Sequence, residues 1–156
     1  MKAIFECRSF FPVNVERLFQ FHEDKVGFDT LVGLDKNVKV IQRPENILVG
    51  AIAIMEIKIA PFVKQKWIAE HIEYQKNKLF VDKQIEGPFK SFIHYHQFES
   101  REDGSVLNDH IEFEFYFNFI SKYFVSQKIK DNFTERHMAT AKYLNVKSRL
   151  EYCGLV

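Results

Sequence analysis

Polar and apolar residues alternate through most of this chain, and the spacing changes to three and four near the start and again over the last forty or so residues. Ala3 to Phe11 reads as an edge strand. Pro12-Val13-Asn14 breaks it and places Asn14 to cap a helix over Val15 to Glu23, with Leu18, Phe19 and His22 on one side. A second short helix fits Phe28 to Val32. Val38 to Gln42 and Ile47 to Ile59 then read as a hairpin around Arg43-Pro44-Glu45-Asn46. Glu56 and Lys58 mark the solvent face of the longer strand, so Val49, Ala51, Ala53, Met55 and Ile57 are expected to face inward. Phe62 to Tyr74 and Leu79 to Ile85 follow as strands separated by the polar turn Gln75 to Lys78. Trp67 and His71 share a face of the first, which the pattern does not assign as inward or outward.

The next hairpin carries the most information. In Ser91 to Glu99 and Val106 to Phe117, large aromatics alternate with polar groups, and Asp103-Gly104 is a strong two-residue turn signal. With those two residues at the turn centre, His96 lies opposite Ile111, His94 opposite Phe113, Phe92 opposite Phe115 and Phe98 opposite Asp109. Phe92, His94, His96 and Phe98 then share a buried face with Ile111, Phe113, Phe115 and Phe117. Tyr95, Gln97 and Glu99 share the wet face with His110, Glu112 and Glu114. From Ser121, a plausible cap, Val125, Ile129, Phe133, His137, Thr140 and Leu144 recur at helical spacing. The chain therefore reads as α+β, an antiparallel sheet curved around a long C-terminal helix, with two short helices after the first strand.

At 156 residues the chain is expected to be one domain, 1–156, large enough for a core with a cavity. Lys+Arg 22 against Asp+Glu 21 leaves a net charge of +1, which offers no global field for nucleic acid. No apolar run approaches the ~18 residues of a membrane span, and the N-terminus lacks a signal-peptide pattern. Cys7 and Cys153 are too few for a disulfide framework. A cytoplasmic protein with reduced thiols, no stable membrane insertion and no nucleic-acid partner is expected. No P-loop, dinucleotide-binding glycine pattern, nucleophile elbow or zinc-hydrolase motif is present, and no cofactor is expected.

The chemistry-bearing residues gather on one face. His94 and His96 stand two apart on a strand with Asp109 on its neighbour, and Asp82 and Gln84 alternate with Phe80. Aromatic walls with a small polar floor suit an amphipathic small molecule. Two imidazoles and a carboxylate could also begin a metal site. Without a third His or Cys at characteristic spacing, a hydrogen-bonded polar patch is the preferred reading, and no metal is expected. The same His94, His96 and Asp109 could serve as general acid and base. His137 lies within the stripe of the last helix and could look down on the ligand.

This order of elements, with Phe80-x-Asp82-x-Gln84-x-x-Gly87-Pro88-Phe89 and His94-x-His96-x-Phe98 followed by Asp109, resembles the helix-grip superfamily. That superfamily comprises birch-pollen-allergen-like, START and polyketide cyclase/dehydrase proteins, grouped as SRPBCC. The resemblance is strongest to a little-characterised bacterial branch. It implies a seven-stranded sheet, a long C-terminal helix and a deep hydrophobic pocket. Two positions depart from that branch: Phe92 stands where Trp is expected, and Phe117-Asn118-Phe119 lacks an expected Pro.

The expected activity is binding of a small hydrophobic or amphipathic molecule. Asp82, Gln84, Phe92, His94, His96, Phe98, Asp109, Phe113, Phe115, Phe133 and His137 are the candidate ligand contacts. A cyclase or dehydratase using the same His and Asp groups is the alternative, and a protein-interaction module is a third.

Overall fold

The first strand, β1 (Lys2–Phe11), gives way to α1 (Val15–Glu23), whose Asn14 cap accepts a hydrogen bond from the Arg17 N–H at 2.9 Å. The structure, a computed structural model, describes residues 2–116 and 119–156, with backbone alone for 119–122. After α1 come α2 (Lys25–Val32), β2 (Val38–Gln42), β3 (Ile52–Ala60), β4 (Val63–Gln75), β5 (Leu79–Glu86), β6 (Ser91–Arg101), β7 (Gly104–Glu114), α3 (Phe119–Leu144) and β8 (Arg149–Leu155). The described strands form one antiparallel sheet in the order β2-β3-β4-β5-β6-β7-β1-β8. The fold is α+β with α3 against the sheet, as the sequence pattern predicts.

Four details differ from expectation. The sheet carries an eighth strand, β8, so β1 is interior and not an edge. Residues 149–152 of β8 are exposed, and this strand therefore has no buried face to print a pattern in the sequence. It sets Cys153 directly across from Cys7, both as free thiols.

The β6–β7 hairpin is shifted by two residues from the expected register. Its turn centres on Glu102-Asp103, pairing Arg101 with Gly104, His96 with Asp109, His94 with Ile111, Phe92 with Phe113 and Phe98 with Leu107. The reason lies in β1: a Cβ at Gly104 would fall 2.3 Å from the Phe11 carbonyl oxygen. The glycine is needed for close strand packing, not for a left-handed turn. A shift of two preserves every side-chain face, so the buried and wet sets stand.

The strand expected over Ile47 to Ile59 begins only at Ile52. Gly50, at φ +92°, breaks the pleat, which leaves Val49 two-thirds exposed while Ile47 turns into the core. Beyond the break the inward alternation holds for Ala53, Met55 and Ile57. Finally, α3 already runs at Ser121, two residues into the helix, so this serine is not its cap. Phe117 and the Phe117-Asn118 departure lie outside the described residues.

Two apolar clusters hold the layers together. Leu18 and Phe19 of α1 are fully buried, with Phe19 edge-on to Phe98 at 4.9 Å; burying each such side chain contributes about 1.5–3 kcal/mol. Phe133 of α3 joins Phe5, Phe92, Ile111 and Phe113 in the second. Asn145, at φ 55°, ends α3 in a left-handed turn closed by the Val146 N–H to the Ala141 carbonyl.

Candidate functional site

Cross-strand pairing arranges the polar residues in two adjacent rows. His71, Asp82, His94, Ile111 and Phe5 form one; Phe80, His96, Asp109 and Cys7 form the next. Period-two alternation turns all of them to the α3 side. The shortest contacts run diagonally between rows. His94 Nε2 lies 2.7 Å from Asp109 Oδ1, and His96 Nε2 lies 2.7 Å from Asp82 Oδ2. The other ring nitrogens close the figure: His96 Nδ1 is 3.3 Å from Asp109 Oδ1 and His94 Nδ1 is 3.8 Å from Asp82 Oδ2. Two imidazoles, with ring centres 3.7 Å apart, thus bridge two carboxylates. The second Asp109 oxygen accepts from His137 Nε2 at 2.7 Å, and His137 Nδ1 meets Ser9 Oγ at 2.7 Å.

The electrostatics separate the two imidazoles. Burial pulls the His94 pKa down, and the neighbouring His96 adds to this. Burial also opposes charge on His96, but hydrogen bonds to Asp109 and Asp82 outweigh it and raise its pKa. Burial works against both carboxylates as well. Imidazole contacts prevail, bringing Asp82 to about 2 and Asp109 well below its ordinary range. The two imidazoles are accordingly biased apart, His94 toward its neutral form and His96 toward its cationic form.

Above this floor lies a cavity of about 730 Å³, bounded by β3, β4, α2 and α3. Of the expected contacts, Asp82, Phe92, His94, His96, Phe115 and Phe133 line it. Five others sit outside the wall. Asp109 lies behind the imidazoles it holds, and His137 is buried between Asp109 and β1. Phe98 packs on Phe19, and Phe113 is buried against Phe89 and Phe115. Gln84 clamps the Gly87-Pro88-Phe89 turn, donating to the Phe89 carbonyl at 2.8 Å and accepting from the Phe89 N–H at 3.3 Å.

Trp67 and His71, unassigned by pattern, both line the cavity. Trp67 sets its indole edge-on to Phe92 at 5.0 Å, so β4 supplies a tryptophan beside the position where the resemblance led us to expect one. His71 donates Nδ1–H to the Ile47 carbonyl at 3.1 Å, and burial lowers its pKa. Arg136 also lines the cavity and was missed as a candidate. Its signal was present: three residues from Phe133 and four from Thr140, it is a charged group within an apolar helical stripe.

Asp82, His94 and His96 bring one ligand atom each within 4.8 Å of one another and could together hold a divalent ion. In the arrangement described, these atoms are engaged with one another as an ion-pair network.

No protein-family model matches the chain, and no curated protein does. Solved structures do. Ara h 8.0201 aligns at 13% identity and TM-score 0.66 over 92% of this chain and 97% of its own. Norcoclaurine synthase from Thalictrum flavum aligns at 13% identity and TM-score 0.66 over 92% and 87%. The di-domain ARO/CYC StfQ from the steffimycin biosynthetic pathway aligns at 10% identity and TM-score 0.69 over 90% of this chain and 49% of its own. The class is thus established as a fold: the chain has the helix-grip architecture of the birch-pollen-allergen-like, SRPBCC proteins. Among the described residues, no helix is long and apolar enough to cross a membrane.

Proposed function

We propose that the chain, as one START-like domain over 1–156, binds a small hydrophobic or amphipathic molecule. The molecule lies in the cavity between β3, β4, α2 and α3, with polar groups within reach of His94, His96 and Asp82. The observation that carries this reading is the cavity itself. About 730 Å³ of space, walled by aromatic and aliphatic side chains and floored by convergent polar groups, falls in the range of small-molecule sites. Asp109 holds the two imidazoles from behind and is itself held by His137, and neither residue lines the cavity. The cavity is not filled by the protein's own Phe side chains, which favours ligand binding over an interaction module.

Native mass spectrometry of freshly purified protein, followed by solvent extraction, tests the reading. A stoichiometric organic ligand is expected. A clean protein mass, together with no uptake of a neutral naphthylamine probe, would overturn it.

One observation favours an acid–base enzyme as the second reading. The two imidazoles have pKa values pushed apart, and such a division assigns an acid and a base at one site. A synthase and an aromatase/cyclase share the fold. Conversion of the extracted ligand, at a rate that follows a histidine titration and collapses in His96→Ala, would establish this reading. Binding without conversion would leave the protein a carrier.

A further inference from the structure

Three buried side-chain polar atoms among the described residues have no hydrogen-bond partner: Trp67 Nε1, Arg136 Nε and Asn108 Oδ1. Two of the three belong to residues of the cavity wall, and both of those are donors. Arg136 makes no ion pair with any described residue. Its one side-chain neighbour of note is the Phe133 ring, 5.1 Å from the guanidinium carbon. The carboxylates that act on it electrostatically, Asp109, Asp82 and Asp35, lie beyond ion-pair range, and the first two are held by imidazoles. Burial pushes the Arg136 pKa down, as an unpartnered cation in an apolar wall requires. Buried donors are normally satisfied, and a part-buried guanidinium set in an apolar wall, its Nε enclosed, normally meets an anion at its remaining nitrogens.

We infer that the ligand is an amphipathic anion whose oxyanion group, a carboxylate or its chemical equivalent, is received by the Arg136 guanidinium. This rests on the proposed binding function and narrows its ligand class. The guanidinium fork suits two-oxygen recognition, and Phe133 steadies its face. The hydrophobic body of the ligand then fills the space toward Met55 and Ile57 on β3.

The test is a matched pair of fluorescent probes, N-phenyl-1-naphthylamine and its sulfonated form 1-anilinonaphthalene-8-sulfonate. They share one apolar body and differ in one oxyanion. The native chain is expected to bind the sulfonate at least about tenfold more tightly than the neutral amine, as a charge-assisted hydrogen bond at a desolvated site supplies. Arg136→Met should abolish that preference while leaving affinity for the neutral amine within about twofold, which also reports an intact cavity. Arg136→Lys should restore part of the preference. Lys128→Gln removes one cation from the cavity rim and should leave most of it. Two results would overturn the assignment to Arg136: no sulfonate preference in the native chain, or equal losses in Arg136→Met and Lys128→Gln. Failure of the native chain to bind either probe would instead sink the binding reading on which it rests.

Discussion

Asp109→Asn changes one atom and removes the charge on which three imidazoles converge. His94 and His137 each approach an Asp109 oxygen at 2.7 Å and His96 approaches at 3.3 Å, at a residue only 4% exposed. The amide keeps the shape but turns one acceptor into a donor, which faces an imidazole N–H already fixed by packing. Removing one partner from a buried ionic network costs about 3–5 kcal/mol, against a total stability of about 5–15 kcal/mol for an ordinary domain. In a chain of this length each 1 kcal/mol moves the melting temperature by roughly 2–4 °C, so a fall of about 6–20 °C is expected. Urea melts followed by far-ultraviolet circular dichroism at pH 7.5 would measure it. Loss of less than about 1 kcal/mol at unchanged denaturant slope would refute the view that Asp109 fastens the layers.

The pH dependence supplies a second, independent reading of the same variant. His96 holds its proton more tightly folded than unfolded, because its pKa is raised above 6.5. Its stabilising contribution is therefore fully present below about pH 6.5 and is lost as pH rises through the folded value. With one of its two anions neutralised, Asp109→Asn should show a smaller loss over that alkaline limb.

Three further outcomes are expected. Burial lowers the His22 pKa from 6.5 to about 4, so the unfolded chain takes up a proton first and stability falls between those values; the His22 share between pH 6.5 and 4.5 is about 2 kcal/mol, and His22→Leu should flatten the limb by that amount in urea melts at those two pH values. Ala53, 3% exposed and on the cavity wall, should accept leucine as a filler, with about tenfold weaker naphthylamine binding and a stability change within about 1–3 kcal/mol; unaltered affinity would show the probe to lie elsewhere. Chelation with EDTA should change neither melting temperature nor probe affinity if carboxylates alone hold the imidazoles, whereas a fall reversed by Zn²⁺ would make Asp82, His94 and His96 metal ligands.

Where one face of an element is buried, the chain reveals it. The α1 cap was legible from the Pro12-Val13-Asn14 break, and the inward set Ala53, Met55 and Ile57 and the shared face of His94, His96 and Asp109 from alternation. The β6–β7 register was not, because Gly104 answers a clash with Phe11 that only tertiary packing creates. Strand β8 escaped because exposed residues print no alternation, and Val49 was misplaced because Gly50 interrupts the pleat. Gln84 looked like a floor residue, yet amide-to-backbone clamping of a turn leaves no periodic trace. Arg136 was passed over because a charge among apolar positions reads as a solvated break until its lack of a counter-ion is seen.

Asp109 serves two clients, with one oxygen turned toward the imidazoles of the cavity floor and the other toward His137 on α3. Charge on a carboxylate is shared between its oxygens, so whatever draws on one side is felt on the other. A ligand that takes a hydrogen bond or a proton from His94 or His96 therefore alters the hold of the sheet on the helix. By reciprocity, whatever loosens that hold changes the ligand's affinity by the same factor. With a ligand bound as proposed, the fastening of the helix and the occupancy of the cavity would be two sides of one equilibrium.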